Sequence, residues 1–261
     1  MMSTLVWADL PRDVVVVEGD DAATFLHSQL AQDIASMQPG RSVHSLLLEP
    51  TGHVHSIVRV VRHGDTLFTL DVDAPHGESL VTRLQRFVLR SKVTLRTSNW
   101  VVRAFRGEGA VQAVGTGNNR AVVAWGGSDA VDIVAARDEQ PVAGEATEPE
   151  HIDMIRVDSE WPRLGVDVLV GDIPATTGIV HAGVSFTKGC YPGQELVERM
   201  DSRGADAPVN LRVVDRDGVG VGSRIELSPN DTGTVTSIGF RRAFVRVGRN
   251  SAIGREPGSE R

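Results

Sequence analysis

The order of strand-like and helix-like patterns constrains the fold of this chain more than any other feature of its sequence. Short apolar runs at residues 14–17 and 46–48 indicate buried strands. Helical spacings stand between strand patterns, over residues 20–34 with Asp20 as N-cap, and over residues 77–88. Strands and helices in this irregular order predict an α+β fold rather than a regular βαβ sheet. After residue 204 only short strands separated by turn residues follow, which predicts a small all-β module.

Turn and loop signals divide the first two thirds of the chain. Pro50-Thr51-Gly52 and Gly64-Asp65 are typical of turns between neighbouring strands. Residues 138–149, rich in acidic and small residues with two prolines, predict a surface connection. Residues 162–178 carry scattered Gly, Pro and Asp and predict a long irregular segment of the kind that often has a functional role.

The charge balance argues against one class of partner. The chain has 27 basic and 34 acidic residues, a formal net charge of −7. Without a basic excess to displace counterions, nonspecific nucleic-acid binding is not expected as its main activity. A local basic cluster of Arg83, Arg86, Arg90 and Lys92 leaves a small anionic ligand open.

Cysteine usage and the first residues predict the compartment. Cys190 is the only cysteine, so no internal disulfide can form, which fits a reducing environment. The first residues lack the basic and apolar regions of a signal peptide, and no apolar run reaches the length of a membrane span. We therefore expect a cytoplasmic protein that does not bind membranes.

Cys190 lies in the octapeptide Lys-Gly-Cys-Tyr-Pro-Gly-Gln-Glu of residues 188–195, directly before a helix-like run. A neighbouring lysine and the amides of a helix start both favour the thiolate over the thiol, whereas Glu195 opposes it if its carboxylate lies close. Gly189 and Gly193 permit a sharp turn and close backbone approach. The octapeptide is therefore the candidate functional centre, with Cys190 as the reactive group and Lys188 as its electrostatic partner.

Other interpretations of the candidate residues stay open. A cysteine in a tight loop can be a small, inert apolar residue. A Cys-His nucleophile is weakly supported, because eight histidines make chance pairing easy and His181 is separated from Cys190 by a strand-like segment. His53 and His55 would share one face of a strand, but with no third ligand nearby, a solvent-facing pair is the better interpretation.

The octapeptide resembles the K-G-C-Y-x-G-Q-E signature of the YgfZ family, folate-binding proteins of iron–sulfur cluster biogenesis that are similar in structure to glycine-cleavage T-protein aminomethyltransferases. The motif matches throughout. Further matches lie at Phe25-Leu26-His27, Gln29-Leu30, Asp33-Ile34, Pro39-Gly40, residues 47–52 (L-L-x-P-x-G), Arg199 and residues 233–237 (G-x-V-T-S).

The resemblance implies a three-domain, aminomethyltransferase-like cloverleaf around a cavity for tetrahydrofolate, with a small C-terminal β-barrel. It places the first, folate-binding domain at residues 1–40 plus 145–203, with the octapeptide in it. Residues 41–144 would form an inserted α+β domain, residues 204–249 the β-barrel, and residues 250–261 a disordered tail.

The resemblance also implies site residues. The stretch from Arg156 to Pro162 looks like the family's R-x-x-x-x-x-P, in which an acidic residue two positions after the arginine holds the pterin; here that residue is Asp158. The other cofactor-binding candidates are Tyr191, Gln194, Glu195 and Arg199.

One departure from the T-proteins bears on activity. Where those enzymes carry an aspartate essential for aminomethyl transfer, this chain has His55 and Ser56. The resemblance then implies that folate binding persists and the transferase reaction is lost, since the carboxylate that would assist it is missing.

The expected function is that of a tetrahydrofolate-binding accessory factor for assembly or repair of iron–sulfur clusters, connected with tRNA modification and with no stably bound metal. Its expected partners are a reduced folate and iron–sulfur assembly or client proteins, without direct nucleic-acid binding, and a monomer is expected. The alternatives are a folate-dependent one-carbon transferase and a non-catalytic protein-interaction scaffold.

Overall fold

A computed structural model describes residues 4–115, 121–123, 125, 129–203, 207–228 and 231–248. Its strands are β1 (Val6–Leu10), β2 (Arg12–Glu18), β3 (Ser42–Leu48), β4 (Val54–Arg62), β5 (Leu67–Asp73), β6 (Thr94–Ser98), β7 (Val101–Arg106), β8 (Ala121–Val123), β9 (Ala130–Ala135), β10 (Glu145–Ala146), β11 (Val209–Asp215), β12 (Arg224–Ser228), β13 (Asp231–Ile238) and β14 (Arg242–Gly248). Its α-helices are α1 (Ala22–Gln29), α2 (Gly77–Gln85), α3 (Ala110–Val114), α4 (Pro149–Asp158), α5 (Val180–Gly183) and α6 (Gln194–Arg203), with a 3-10 helix at Pro174–Thr177. Helices and antiparallel sheets in this mixture confirm the α+β prediction.

The first sheet has the strand order β3-β4-β5-β2-β6, with antiparallel pairing throughout. The predicted turn at residues 50–52 joins β3 to β4, and the one at Gly64-Asp65 joins β4 to β5. Both predictions are confirmed.

The core of the first sheet draws on distant parts of the chain. Phe25 and Leu26 of α1 and Leu80 of α2 pack in the same apolar cluster as the strands. Tyr191 and Val197, from the octapeptide and from α6, lie in that cluster too. The candidate motif is therefore anchored on the first sheet.

Helix α1 is shorter than its spacing predicts. The spacing extends to Ile34, but the helix ends at Gln29 because Leu30 adopts an extended conformation and bridges to Leu47. The amide of Ala31 donates to the carbonyl of Leu46 at 2.9 Å. Pairing with β3 therefore takes the chain away from the helix, an effect that local spacing does not contain.

The second sheet has the order β10-β1-β7-β9-β8, in which β1 and β10 pair in parallel and the other pairs of described strands are antiparallel. Helix α4 covers it, with Ile152 packed on Ala8 and Ala104. Neighbouring strands at the start of the chain belong to different sheets. β1 pairs with β7 in the second sheet, whereas β2 pairs with β5 and β6 in the first.

A buried network of charges joins the first two sheets. Arg59 of β4 donates to Asp71 of β5 at 2.9 Å and to Asp132 of β9 at 2.5 Å. Arg106 of β7 donates to the other oxygen of Asp132 at 2.7 Å. Burial disfavours the charged form of Asp132, but Arg106 and Arg59 outweigh it and lower its pKa to about 2. The carboxylate of Asp132 is therefore shared between arginines of both sheets.

The third sheet, with the antiparallel order β11-β14-β13-β12, forms the C-terminal module. Asp167, fully buried, fastens it to the rest of the chain by accepting hydrogen bonds at 2.6 Å from the hydroxyls of Thr236 and Ser237. The other oxygen of Asp167 accepts a bond from Arg156 of α4 at 2.8 Å. Thr236 and Ser237 belong to the G-x-V-T-S match, so those two residues of that motif hold the C-terminal sheet in place.

Candidate functional site

The octapeptide forms an irregular loop that leads into α6. Cys190 is exposed in this loop. The side-chain amide of Gln194 donates to the Cys190 sulfur at 3.6 Å, and its oxygen accepts a bond from the backbone amide of Tyr191 at 3.1 Å. Gln194 thus ties the thiol to the start of the helix, and the alternative of a buried, inert cysteine does not fit this placement.

Two glycines bring this loop into contact with the turn between β3 and β4. Gly193 has a φ of +83°, and a Cβ there would lie 2.6 Å from the carbonyl oxygen of Glu49 and 2.8 Å from the Cα of Gly52. Gly52 has a φ of +87°, and its Cβ would lie 2.4 Å from the Cβ of Leu196. Only glycine satisfies both the left-handed backbone and this closeness. The match at residues 47–52 and the octapeptide therefore form one structural unit.

The side chain of Lys188 reaches the C-terminal end of α1. Its ammonium group donates to the backbone carbonyls of His27, Leu30 at 2.6 Å and Gln32 at 3.2 Å, beyond the C-terminal end of α1 and in its last turn. Burial lowers the pKa of Lys188 to about 8, with Asp33 opposing the shift. A lysine has three donors, and these carbonyls take all of them.

A surface pocket of about 480 Å³ surrounds the thiol. It brings together five of the predicted site residues, namely Cys190, Tyr191, Gln194, Glu195 and Arg199. Pro50 and Thr51 of the adjoining turn complete its wall. Burial, with the nearby Glu198, raises the pKa of Tyr191 to about 12, so its phenol is neutral at physiological pH.

Asp158 lies apart from this group, at the end of α4. One of its oxygens accepts hydrogen bonds at 3.0 Å from the backbone amides of Arg241 and Arg242. A Cβ on Gly239 would lie 2.2 Å from the same oxygen. The contacts of this carboxylate hold the turn between β13 and β14.

A second cavity, of about 220 Å³, lies between α4, the junction of β1 and β2, and the irregular segment after α4. We call it the central cavity. Its lining residues are Leu10, Pro11, Arg12, Asp73, Trp125, Pro149, Glu150, Asp153, Arg156, Trp161, Pro162 and Arg163. The sequence interpretation missed most of them; the R-x-x-x-x-x-P match, which contains Arg156, Trp161 and Pro162, is the signal that could have found them.

Five of the six charged side chains that line the central cavity form ion pairs with one another. Asp153 accepts a bond from Arg156 at 2.7 Å and one from Arg163 at 3.1 Å. Arg12 donates to Asp73 at 2.6 Å. The lining carries three arginines and three carboxylates, so opposite charges balance.

Each tryptophan of the lining contacts a second side chain. His44 of β3 lies against the ring of Trp161, with centroids 4.2 Å apart. Burial, with a contribution from Arg59, lowers the pKa of His44 to about 3, so the imidazole is neutral at pH 7. Trp125, the other tryptophan of the lining, is covered by the guanidinium of Arg106 at 4.9 Å from its ring centroid.

The residues present fit a pterin-like ring. Two tryptophans present apolar planar surfaces, and Asp153 retains lone pairs that can accept ring N–H groups. The volume is below the roughly 300–1,000 Å³ of pockets that enclose a drug-sized ligand. The central cavity therefore has room for the ring of a folate but not for the whole molecule.

The two histidines of the predicted pair differ in environment. His55 is buried, and its ring nitrogens lie 2.8 Å from the Ser56 hydroxyl and 3.3 Å from that of Ser79. Burial, despite the opposing charge of Glu49, lowers the pKa of His55. The ring of His53 lies 3.0 Å from the Thr51 hydroxyl. In the described part of the chain, no group of three His, Cys, Asp or Glu residues could hold a metal ion.

Among the helices of the described residues, none combines the length and the apolar character needed to cross a membrane.

Comparison with known sequences identifies relatives across most of the chain, although no protein-family model matches it. An uncharacterized protein of Haemophilus influenzae is 26% identical over 232 residues, covering 86% of this chain and 80% of that protein. The tRNA-modifying protein YgfZ of Photobacterium profundum is 24% identical over 212 residues, and that of Escherichia coli O7:K1 is 25% identical over 222 residues. These two matches cover 73% and 74% of this chain but only 64% and 66% of the relatives, less than two thirds of their length.

Comparison with solved structures identifies the same fold. The aminomethyltransferase T of the glycine cleavage system from Bartonella henselae superposes with a TM-score of 0.77, covering 95% of this chain and 79% of that one, at 17% identity. At this identity the likeness establishes the fold alone. The resemblance indicated by the octapeptide is thereby confirmed: this chain is a relative of the proteins named tRNA-modifying protein YgfZ and has the fold of aminomethyltransferase T.

Proposed function

We propose that this protein binds a reduced folate, tetrahydrofolate or a close derivative, in the central cavity. The observation that carries the proposal is the lining itself, in which two tryptophans and three carboxylates surround a space of bicyclic-ring size. We further propose the three-domain cloverleaf arrangement around this cavity, with the C-terminal sheet as part of a small barrel. The aminomethyltransferase T fold supports both proposals.

Each group of the lining has a separate task in this proposal. Trp161 and Trp125 bind the faces of the pterin ring, and Asp153 accepts hydrogen bonds from its N–H groups. Arg163 is half-exposed and uses one guanidinium nitrogen, Nη1, in its ion pair with Asp153. Its remaining charge attracts the carboxylates of the glutamate tail. Bound folate supplies a carrier for one-carbon units. Asp153 replaces Asp158 as the pterin-binding carboxylate, because Asp158 is engaged by the turn of the third sheet.

Calorimetric titration with tetrahydrofolate tests this proposal. We expect Trp161→Ala to weaken binding about tenfold or more, the effect of losing a buried aromatic contact. Trp100→Ala is the matched control, since Trp100 is also half-buried but does not line the central cavity. Cys190→Ser should leave affinity unchanged. Absence of binding to the unaltered protein would reject the proposal and favour the scaffold alternative, and equal affinities for the two tryptophan variants would place the folate elsewhere.

The Cys190 pocket supports the second half of the proposed function, an accessory role in assembling or repairing iron–sulfur clusters, with tRNA modification as the connected process. The name of the YgfZ relatives supports that connection. A cluster usually needs four protein ligands, so one exposed thiol can only share a cluster with a client protein. The single cysteine supports a reducing, cytoplasmic setting, and we propose that the protein acts as a monomer.

A single substitution, Cys190→Ser, tests the role of the thiol. In cells that lack the endogenous factor, we expect Cys190→Ser to reduce the rescue of iron–sulfur enzyme activity to near background, because serine cannot supply a thiolate. Ser185→Ala, a nearby loop change, should rescue fully. Full rescue by Cys190→Ser would remove the thiol from the mechanism while leaving folate binding untouched.

Aminomethyl transfer is the second candidate, favoured by the shared fold. His55, buried and held against Ser56 and Ser79, stands where the resemblance expects a carboxylate. A neutral imidazole cannot supply the negative charge of an aspartate, so we propose that this activity is absent.

A further inference from the structure

We infer that Lys188 is a positioning residue for the Cys190 loop: its ammonium group caps the end of α1 and thereby sets where the thiol lies. This lysine cap consists of Lys188 and the carbonyls of His27, Leu30 and Gln32. The functional consequence rests on the proposed role of Cys190, but the placement itself does not.

The end of α1 explains why a cation is needed there. The last carbonyls of a helix lack intrahelical partners and carry the negative end of the helix dipole. After Gln29 the chain turns at once into an extended conformation, so the acceptors that follow point to a common place. The ammonium of Lys188 occupies that place with three donors, and it also lies 5.2 Å from the ring centroid of Tyr191.

The cap connects parts of the chain that are about 160 residues apart in sequence, as the separations of 156, 158 and 161 residues show. A second contact lies beside it, since the amide of Ser185 donates to the carbonyl of Ala31 at 3.0 Å. On its other side, the loop is fixed by the close approach of Gly193 to Glu49 and Gly52. Cys190 lies between these two fixed points.

The cap also determines what Lys188 does not do. Each hydrogen bond of its ammonium group goes to a carbonyl, whereas the described partner of the Cys190 sulfur is Gln194. An electrostatic activator would direct its charge to the thiol. The placement therefore separates two roles that the octapeptide alone could not distinguish.

Two variants separate position from charge. Lys188→Met removes the positive charge and the three hydrogen bonds to the carbonyls. Lys188→Arg keeps the charge, but its planar guanidinium cannot donate equally to three convergent carbonyls as the tetrahedral ammonium group does. We expect amide hydrogen exchange at residues 185–191 to accelerate about 10- to 100-fold in both variants, the range for losing charge-assisted hydrogen bonds. Lys92→Met, at an exposed lysine, is the control and should exchange like the unaltered protein.

Alkylation of Cys190 gives the decisive comparison. The anionic reagent iodoacetate senses a nearby positive charge and neutral iodoacetamide does not, so the ratio of their rates reports the charge at the thiol. A positioning role predicts that both rates change together and that the ratio stays within about twofold in Lys188→Met. A fall in the ratio in Lys188→Met that Lys188→Arg restores, with exchange unchanged, would overturn the inference.

The outcomes also separate this inference from the proposed function. If Cys190→Ser rescues cells fully, the proposed role of the thiol fails, while exchange and alkylation still decide the lysine cap. If Lys188→Met does not fold, hydrogen exchange and alkylation are both measured on Lys188→Arg. Unchanged amide hydrogen exchange at residues 185–191 in that variant would equally reject the lysine cap.

Discussion

Arg59→Met is expected to lower the free energy of unfolding by about 3 kcal/mol or more, because removing one member of a buried ion-pair network leaves each buried carboxylate with only part of its counter-charge. Asp71 keeps Arg12 and Asp132 keeps Arg106. Arg59 is 2% exposed and binds Asp71 of the first sheet and Asp132 of the second. Methionine fills a similar volume, so the loss reports charge rather than packing. Urea denaturation at pH 7 measures it.

Two further variants make the Arg59 result interpretable. Lys92→Met removes an exposed ion pair with Asp20 and should cost at most about 1 kcal/mol. Asp132→Asn, alone and combined with Arg59→Met, completes a double-mutant cycle whose coupling energy we expect to exceed about 1 kcal/mol. If Arg59→Met lowers the free energy of unfolding by less than about 1 kcal/mol, and if its effect and that of Asp132→Asn are additive, the bridging role of the network is contradicted.

Gly193→Ala is expected to cost about 2–4 kcal/mol, the sum of a left-handed backbone for a residue with a Cβ and of an overpacked contact. The φ of Gly193 is +83°, and the new Cβ would lie 2.6 Å from the carbonyl oxygen of Glu49, a backbone atom that cannot move aside as a side chain does. Because the turn and the loop must separate, we also expect the iodoacetamide reaction of Cys190 to change. Chemical denaturation and alkylation rates measure the two effects.

Gly189→Ala is the matched control within the same octapeptide. A Cβ on Gly189 meets no heavy atom within 4 Å, so its cost should lie within about 0.5 kcal/mol. Equal effects of the two alanine variants would show that the octapeptide tolerates or rejects side chains irrespective of the turn at residues 50–52.

Sequence patterns predicted the parts of the fold that local chemistry decides. The turn at residues 50–52 and the β-branched strand around residues 14–17 follow from residue types within a few positions. The end of α1 did not follow, because the extended conformation of Leu30 depends on a strand that begins at Ser42. The arrangement of strands in sheets escaped prediction for the same reason.

The candidate site shows the same division. Cys190, Tyr191, Gln194, Glu195 and Arg199 are close in sequence, and the structure brings them together in one pocket. The central cavity draws its walls from residues 10–12, 73, 125 and 149–163, whose meeting depends on the packing of two sheets and a helix. The R-x-x-x-x-x-P match indicates only the residues of α4 and of the segment after it, and no spacing along the chain predicts their contact with residues 10–12, 73 and 125.

Asp158 and Lys188 show that a motif can indicate a residue without indicating its structural partners. Both were assigned to ligand or thiol by their position in a pattern. Their structural partners are the amides of Arg241 and Arg242 for the carboxylate and the carbonyls at the end of α1 for the ammonium. These partners lie more than 80 residues away, beyond the reach of a local pattern.

The fastening of Asp167 to Thr236 and Ser237 bears on how the protein is made. Arg156, a wall of the central cavity, is held on one side by Asp167 and on another by the hydroxyl of Ser237. During synthesis, a ribosome must release β13 before that arginine acquires its last anchor. We therefore expect the wall of the central cavity to be completed only late in translation, after β13 has left the ribosome.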